Sequence, residues 1–400
     1  MRADPRRNRN HGAEPARPSR RLTSMTRRRR TVRQALLVLA VITTALLAAC
    51  ASAPGQPSPH RPGSGLLTGS TLAGGVPATF VAMANSPHRP GIVLYDSSTG
   101  AVVRRLLPAT RDGMSVTGLS VGSSGTLWIT YSRGPKLRAP GTLGGFPEPH
   151  SCENEIVVWH PSTGHASVYL RSGDNVLISG ATPSPDGRLL AYLESGCATS
   201  YFDSYVRVTD IATGRNWTIG EQIPRCHLID PAWSADSKEL VVAYAPPATA
   251  HYRGPQGSCQ APLREELVLV NATTAQPGLR GSTASAQAHC EITSAAGLSG
   301  SRALAIEACG SQMYLQGAAK LLLYDRPWHL VRQYTLGRCT DGNDLSTDAS
   351  GTAALVSAYL YCNPPGNKQP VTRLWSYVGT VLRPIVRLPQ GTLAFSPMTW

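Results

Sequence analysis

From about residue 77 to the C-terminus, short apolar runs alternate with turns rich in Gly, Pro, Ser and Asp, and no long helical periodicity interrupts them. Apolar runs bounded by turn residues read as β-strands. Two turn signatures recur in step. Ser184-Pro185-Asp186-Gly187-Arg188-Leu189-Leu190 matches Ser234-Ala235-Asp236-Ser237-Lys238-Glu239-Leu240 fifty residues later. Weaker echoes stand at Gly125-Thr126-Leu127, Ser301-Arg302-Ala303-Leu304 and Gly351-Thr352-Ala353-Ala354. The second signature, Tyr95-Asp96-Ser97-Ser98-Thr99-Gly100, returns as Trp159-His160-Pro161-Ser162-Thr163-Gly164 and Thr209-Asp210-Ile211-Ala212-Thr213-Gly214. It decays to Val270-Asn271-Ala272-Thr273-Thr274-Ala275, and Tyr324-Asp325-Arg326-Pro327 occupies the fifth place. Here Asp or Asn closes a side-chain turn onto the backbone and Gly supplies a positive φ, which is hairpin chemistry.

Two hairpins per period of 50–64 residues give four strands per unit, the sheet of a propeller blade. The Ser-Pro-Asp-Gly turn running into an apolar strand resembles the TolB-type, WD40-like propeller repeat, best at residues 184–190. A β-sandwich would also be all-β, but it needs no repeated four-strand period. Counting units predicts a six-bladed β-propeller of four-stranded antiparallel blades over residues 76–400. Innermost strands, called a, are expected near 115–121, 176–182, 229–233, 291–297 and 343–348. The first unit offers b, c and d strands at 79–84, 91–95 and 101–107 but no a strand. Thr392-Leu393-Ala394-Phe395-Ser396-Pro397 is expected to supply it, closing the ring and removing an open sheet edge.

The N-terminal 75 residues read differently. Arg27 to Arg30 and Arg33 form a basic cluster, Ala35 to Ala49 are apolar apart from Thr43 and Thr44, and the segment ends Leu47-Ala48-Ala49-Cys50. A charged stretch, a short apolar stretch and small residues at a cleavage point make a secretory signal. Fifteen residues fall short of the roughly 20 that span a bilayer. The ending resembles the lipobox of bacterial lipoproteins, which implies a lipid on Cys50 as the mature N-terminus. Residues 1–49 are thus a lipoprotein signal peptide, with Met25 placed to start one of ordinary length and residues 1–24 an over-extended start. Residues 50–75, mostly Pro, Gly, Ser and Ala, read as a flexible tether. The resulting location is the outer side of a cell membrane. The net charge of +14 is mostly confined to the signal, whose twelve Arg against two acids leave +4 for the rest, so nucleic acid is not an expected partner.

Beyond Cys50 there are eight cysteines, Cys152, Cys197, Cys226, Cys259, Cys290, Cys309, Cys339 and Cys362. An even number in an exported chain points to disulfides. His150, His227 and His289 lie beside cysteines, but no Cys-x-x-Cys pair gives the close spacing of a structural zinc site. No metal or other cofactor is therefore expected. All eight fall in the d–a and b–c connections, which lie on one face of a propeller and include the long segments 132–153 and 245–264. Long loops on a rigid scaffold collect binding residues, though such loops also need staples simply to resist unfolding. His150, Tyr201, Phe202, Tyr252, Tyr314 and Tyr361 lie in or beside these connections and form the candidate ligand face.

No catalytic residues are assigned. Gly118-Leu119-Ser120-Val121-Gly122 matches a nucleophile-elbow pattern but falls on an expected strand rather than a strand-to-helix turn. Asp186 and Asp236 read as turn residues. The function expected is a lipid-anchored, non-catalytic binding or scaffold protein for a protein or cell-envelope ligand, a role that rests on the TolB-like resemblance. Two rivals remain open. One is a propeller enzyme of lactonase, glycosidase or quinone-dependent dehydrogenase type. The other is an accessory sensor of a membrane signalling protein, suggested by resemblance to the actinobacterial LpqB-type lipoproteins.

The blade map selects one of the 105 pairings that eight cysteines allow. Cys226–Cys259, Cys290–Cys309 and Cys339–Cys362 are expected within blades, and Cys152–Cys197 between neighbouring blades. Peptide mapping without reduction should return these four bonds; free thiols throughout, or a Cys226–Cys362 bond, would overturn the map.

Overall fold

The computed structural model describes residues 76–84, 90–133, 152–173, 176–196, 204–219, 229–244, 266–274, 283–285, 290–309, 318–325, 328–338, 340–360, 371–385 and 394–399. Among them there is no helix, and so none long and apolar enough to cross a membrane. The strands form six antiparallel sheets. Blade 1 holds β1 (Thr79–Ala84), β2 (Gly91–Asp96) and β3 (Val102–Pro108). Blade 2 holds the short β4 (Thr110–Arg111), then β5 (Met114–Val121), β6 (Leu127–Arg133), β7 (Glu153–His160) and β8 (His165–Arg171). Blade 3 holds β9 (Val176–Pro183), β10 (Leu189–Gly196), β11 (Ser204–Asp210) and β12 (Asn216–Ile219). Blade 4 holds β13 (Ala232–Trp233), β14 (Glu239–Tyr244), β15 (Glu266–Asn271) and β16 (Thr283–Ser285). Blade 5 holds β17 (Cys290–Leu298), β18 (Arg302–Cys309), β19 (Ala318–Asp325) and β20 (His329–Arg338). Blade 6 holds β21 (Thr340–Thr347), β22 (Ala353–Leu360), β23 (Val371–Val378) and β24 (Val381–Pro384). The last strand, β25 (Ala394–Thr399), returns to blade 1 and pairs with β1, as the sequence predicts.

The turns do what their residues dictate. Asp96 Oδ1 accepts from the backbone N–H of Ser98 and Thr99 at 2.9 and 2.8 Å, and Asp210 Oδ1 accepts from Ala212 and Thr213 at 3.1 and 2.9 Å. In the other turn, Ser184 Oγ donates to Asp186 at 2.6 Å and accepts the Leu189 N–H at 2.9 Å. Ser234 repeats this with Asp236 and Glu239 at 2.7 and 3.0 Å. These side chains occupy backbone donors that no strand partner reaches, which stops each strand at a fixed residue.

Six hydrophobic clusters hold the ring, one at each blade–blade contact. Leu189, Val206 and Val208 of blade 3 pack on Trp233, Leu240 and Val268 of blade 4. Leu304, Ile306 and Leu321 of blade 5 pack on Ala354, Val356 and Tyr377 of blade 6. Phe80, Val93 and Tyr95 join blade 1 to Ala353, Leu355 and Leu374 of blade 6, while Val81, Ile92 and Leu94 on the opposite face join it to Leu127 and Ile129 of blade 2. The remaining two contacts link blades 4 and 5, and 2 and 3. Middle strands therefore bury both faces and are largely apolar, as in residues 240–243 of β14 and in β6, where the buried Thr130 and Ser132 interrupt the run. Outer strands β3 and β24 are largely exposed.

Removing residues 394–400 strips β1 of its partner and leaves its edge open. The expected result is a fall in Tm of about 10 °C or more, with loss of a single cooperative transition by calorimetry. An unchanged transition would show that β25 does not hold the ring closed.

Candidate functional site

The inner strands β25, β5, β9, β13, β17 and β21 converge on the ring axis and surround a cavity of about 440 Å³. Its wall is built from short side chains, among them Ser120, Thr182, Ser294, Ser346 and Thr399. The lining extends to Ser123, Pro185 and Ser350 in the a–b turns. The cavity thus reaches the face opposite the cysteine-bearing connections.

Hydrogen bonds stitch neighbouring blades together along this wall. Ser120 Oγ donates to the Ala181 carbonyl at 2.7 Å, and Trp233 Nε1–H donates to the Thr182 carbonyl at 2.9 Å. The Val121 N–H reaches Thr399 Oγ1 at 3.2 Å, and Ser346 Oγ lies 3.4 Å from the same oxygen. Ser120 therefore lies on a strand, as its sequence position predicts, and serves as a strut between blades 2 and 3.

Two carboxylates project into the cavity, Asp230 from blade 4 and Asp344 from blade 6. Asp230 is exposed to the cavity, yet the channel wall lies close around it, so its charge is less well solvated than in open water. That desolvation, reinforced by the Asp344 charge, pushes Asp230 up to about 6 against the opposing hydrogen bond from Ser179 Oγ at 3.2 Å. The Leu345 N–H holds Asp344 Oδ1 at 2.8 Å.

The backbone makes room for this pair. In β5, β9, β17 and β21 the register slips midway along the strand, at Thr117, Gly180–Ala181, Thr293 and Asn343. A bulge bends its strand and re-aims the side chains beyond it. Gly180, with φ +59°, lies directly under Asp230, and a methyl group there would overlap the carboxyl. Gly180 is thus required both by its left-handed backbone and by the space Asp230 fills.

Sequence reasoning missed both aspartates because neither belongs to a turn signature. A signal existed: Asp230 and Asp344 each stand four residues before the residue that opens the a–b turn, Ser234 and Asp348. An acid recurring at one distance before the a–b turn marks the channel. Asp186 and Asp236, read from sequence as turn residues, occupy those turns.

Cys290 and Cys309 are register partners on β17 and β18 and form a disulfide, with Cα atoms 4.1 Å apart. Their sulfurs and a Glu307 oxygen lie within 4.8 Å of one another, but the disulfide occupies both sulfurs. Cys152 is buried and disulfide-bonded, with a partner outside the described residues. Also outside them lie Cys50, His150, Cys197, Tyr201, Phe202, Cys226, Tyr252, Cys259, Tyr314, Cys339, Tyr361 and Cys362.

Fold and cavity together define a six-bladed β-propeller with an acidic central channel. No protein-family model matches the chain, and no curated protein does. Among solved structures, it is similar to a protein of unknown function from Bacteroides caccae, at 12% identity over 81% of this chain and 98% of that one, with a TM-score of 0.47. It is also similar to the acylaminoacyl peptidase of Pyrococcus horikoshii, at 12% identity over 68% of this chain and 39% of that one, with a TM-score of 0.40. A third likeness is to the tricorn protease, at 14% identity, 77% and 29% coverage and a TM-score of 0.42. This chain spans about two fifths of the peptidase. Nothing about its activity follows from these likenesses.

Between its ordinary value of 3.8 and about 6, folded Asp230 keeps a proton that the unfolded chain has lost. Stability therefore falls as pH rises through that window and is level with respect to this group below it. Asp230→Asn removes the penalty. The variant should melt about 2–4 °C above the parent at pH 8 and together with it at pH 3.5, by scanning calorimetry. An equal difference at both pH values would show that the carboxylate carries no such penalty.

Proposed function

We propose that this protein is a lipid-anchored propeller on the outer side of a cytoplasmic membrane, and that it binds its ligand without transforming it. The ligand is a small polar cell-envelope molecule bearing a cationic group, held in the central channel. The observation that carries this reading is the convergence of Asp230 and Asp344 on a cavity of about 440 Å³. A cation between them relieves the repulsion and the desolvation that raise Asp230, and the surrounding hydroxyls supply hydrogen bonds to a polar frame. The anchor rests on Leu47-Ala48-Ala49-Cys50 behind a short apolar stretch.

One observation favours a second reading. A raised carboxyl beside another acid is the arrangement in which one group donates a proton while its neighbour stays charged, as in glycoside hydrolysis. On that reading Asp230 is the acid.

The two readings separate on protein purified from membranes. Thermal shift with alkylammonium compounds, amino sugars and neutral sugars should find a cationic ligand that stabilises the parent and leaves Asp230→Asn/Asp344→Asn unmoved. A ligand that stabilises both equally would remove the channel from the proposal, and release of a reducing sugar from a glycoside would replace binding with catalysis. Mass spectrometry of the mature N-terminus should find a diacylglyceryl group on Cys50; an unmodified N-terminus elsewhere would remove the anchor.

A further inference from the structure

The outer strands of blades 5, 6 and 1 carry a similar trio near their starts: Val381-Leu382-Arg383 opens β24, Val102-Val103-Arg104 opens β3, and Leu330-Val331-Arg332 follows the first residue of β20, His329. Val102 and Val103 are 55% and 54% exposed, Leu330 and Val331 50% and 53%, and Val381 47%. These are five of the six large hydrophobic residues that are exposed among the described residues; the sixth, Val168, lies midway along β8. Each trio lies within one strand residue of its c–d turn, so all three lie on the rim of the turn face. The three blades are consecutive around the ring. Arg332 spans two of them by donating to the Thr380 carbonyl of blade 6 at 3.1 Å. All three arginines are exposed.

The chain itself arrives on this face. Residue 76 leads into β1 beside the c–d turn of blade 1, where the Ser97 N–H donates to the Ala78 carbonyl at 2.8 Å. Only 26 positions separate Cys50 from Val76. That length reaches about 90 Å at most. A lipid on Cys50 would therefore keep the turn face of blade 1 within that reach of the bilayer. Apolar tips followed by arginine match a bilayer surface, where short apolar side chains enter the headgroup layer and guanidinium groups meet lipid phosphates. The nearby carboxylates weaken this little, because Asp96 is engaged by its own turn and Asp325 lies 3.7 Å from His329.

We propose that the rim formed by the three trios on blades 5, 6 and 1 docks on the anionic surface of the membrane that carries the anchor. The proposal rests on the lipoprotein reading for its geometry, but the trios can be tested apart from it. The mature protein is reconstituted into vesicles of phosphatidylcholine alone and with phosphatidylglycerol, and amide hydrogen exchange is followed. Exchange at 102–104, 330–332 and 381–383 should slow in the anionic vesicles relative to the neutral ones, and 0.5 M salt should reverse the effect. Arg104→Glu/Arg332→Glu/Arg383→Glu should lose it while keeping the parent's melting transition. Equal exchange in both vesicles would overturn the proposal. So would protection confined to blades 2–4, or protection that appears only when envelope proteins are added, which would make the occupant a protein. Mass spectrometry of the same sample shows whether Cys50 carries its lipid. If it does not, flotation of the unlipidated mature chain with the same vesicles still reads the rim alone, with about tenfold or greater loss of binding expected in the triple arginine variant.

Discussion

Burial between neighbouring blades is the constraint on which the rest of the structure depends. Each blade is a thin sheet that cannot bury either face alone, and the six clusters at the blade contacts are the hydrophobic core. Stability on this plan is distributed around the ring, so it requires closure. An open ring would leave two blades with one apolar face each in water. The pairing of β25 with β1 meets that requirement by completing blade 1 with the far end of the chain. It also explains why Phe80 and Tyr95 can face blade 6 while Val81 and Leu94 face blade 2. Successive residues of a strand point to opposite faces, and here both faces meet a neighbour.

The same geometry creates the channel. Six inner strands brought together at the axis are too crowded for large side chains, and the backbones approach closely. A methyl group on Gly297 would collide with the backbone of Trp233 and Ser234 in the next blade. What remains at the axis is a wall of Gly, Ala, Ser and Thr with hydrogen bonds running from blade to blade. Such a wall is polar enough to hold water yet hemmed in by protein, and a carboxylate placed there loses solvation without becoming sealed. Asp230 is raised for that reason first and by Asp344 second.

The fold was legible because its determinants are local. Asp96, Asp210, Ser184 and Ser234 fix turns through bonds to residues two to five positions away, so spacing alone revealed the hairpins and their period. Even the last strand could be assigned, since blade 1 lacked an inner strand and residues 392–397 had no other blade to join. The site was not legible in the same way. Asp230 and Asp344 are 114 positions apart and meet only because two inner strands stand across one axis. Their environment depends on bulges whose positions emerge from register, and no residue pattern states register directly. The long cysteine-bearing connections stand out in the sequence instead, because loop length and aromatic residues are visible in one dimension.

The channel opens on the face that carries the rim, so the proposed binding and the proposed docking would be coupled. A ring held flat by all six blades would press the channel mouth against the bilayer. Among the described residues, the outer strands of blades 2, 3 and 4 carry no apolar-apolar-arginine trio near their starts: β8 begins His165-Ala166-Ser167, β12 begins Asn216-Trp217-Thr218 and β16 reads Thr283-Ala284-Ser285. Docking through half the rim would tilt the ring and leave the mouth open on the side of blades 2–4. The anionic surface beside it would concentrate cations, the ligands proposed for the Asp230–Asp344 pair. Local surface charge and channel charge would then act in the same direction, the first raising the concentration of a cationic ligand and the second holding it.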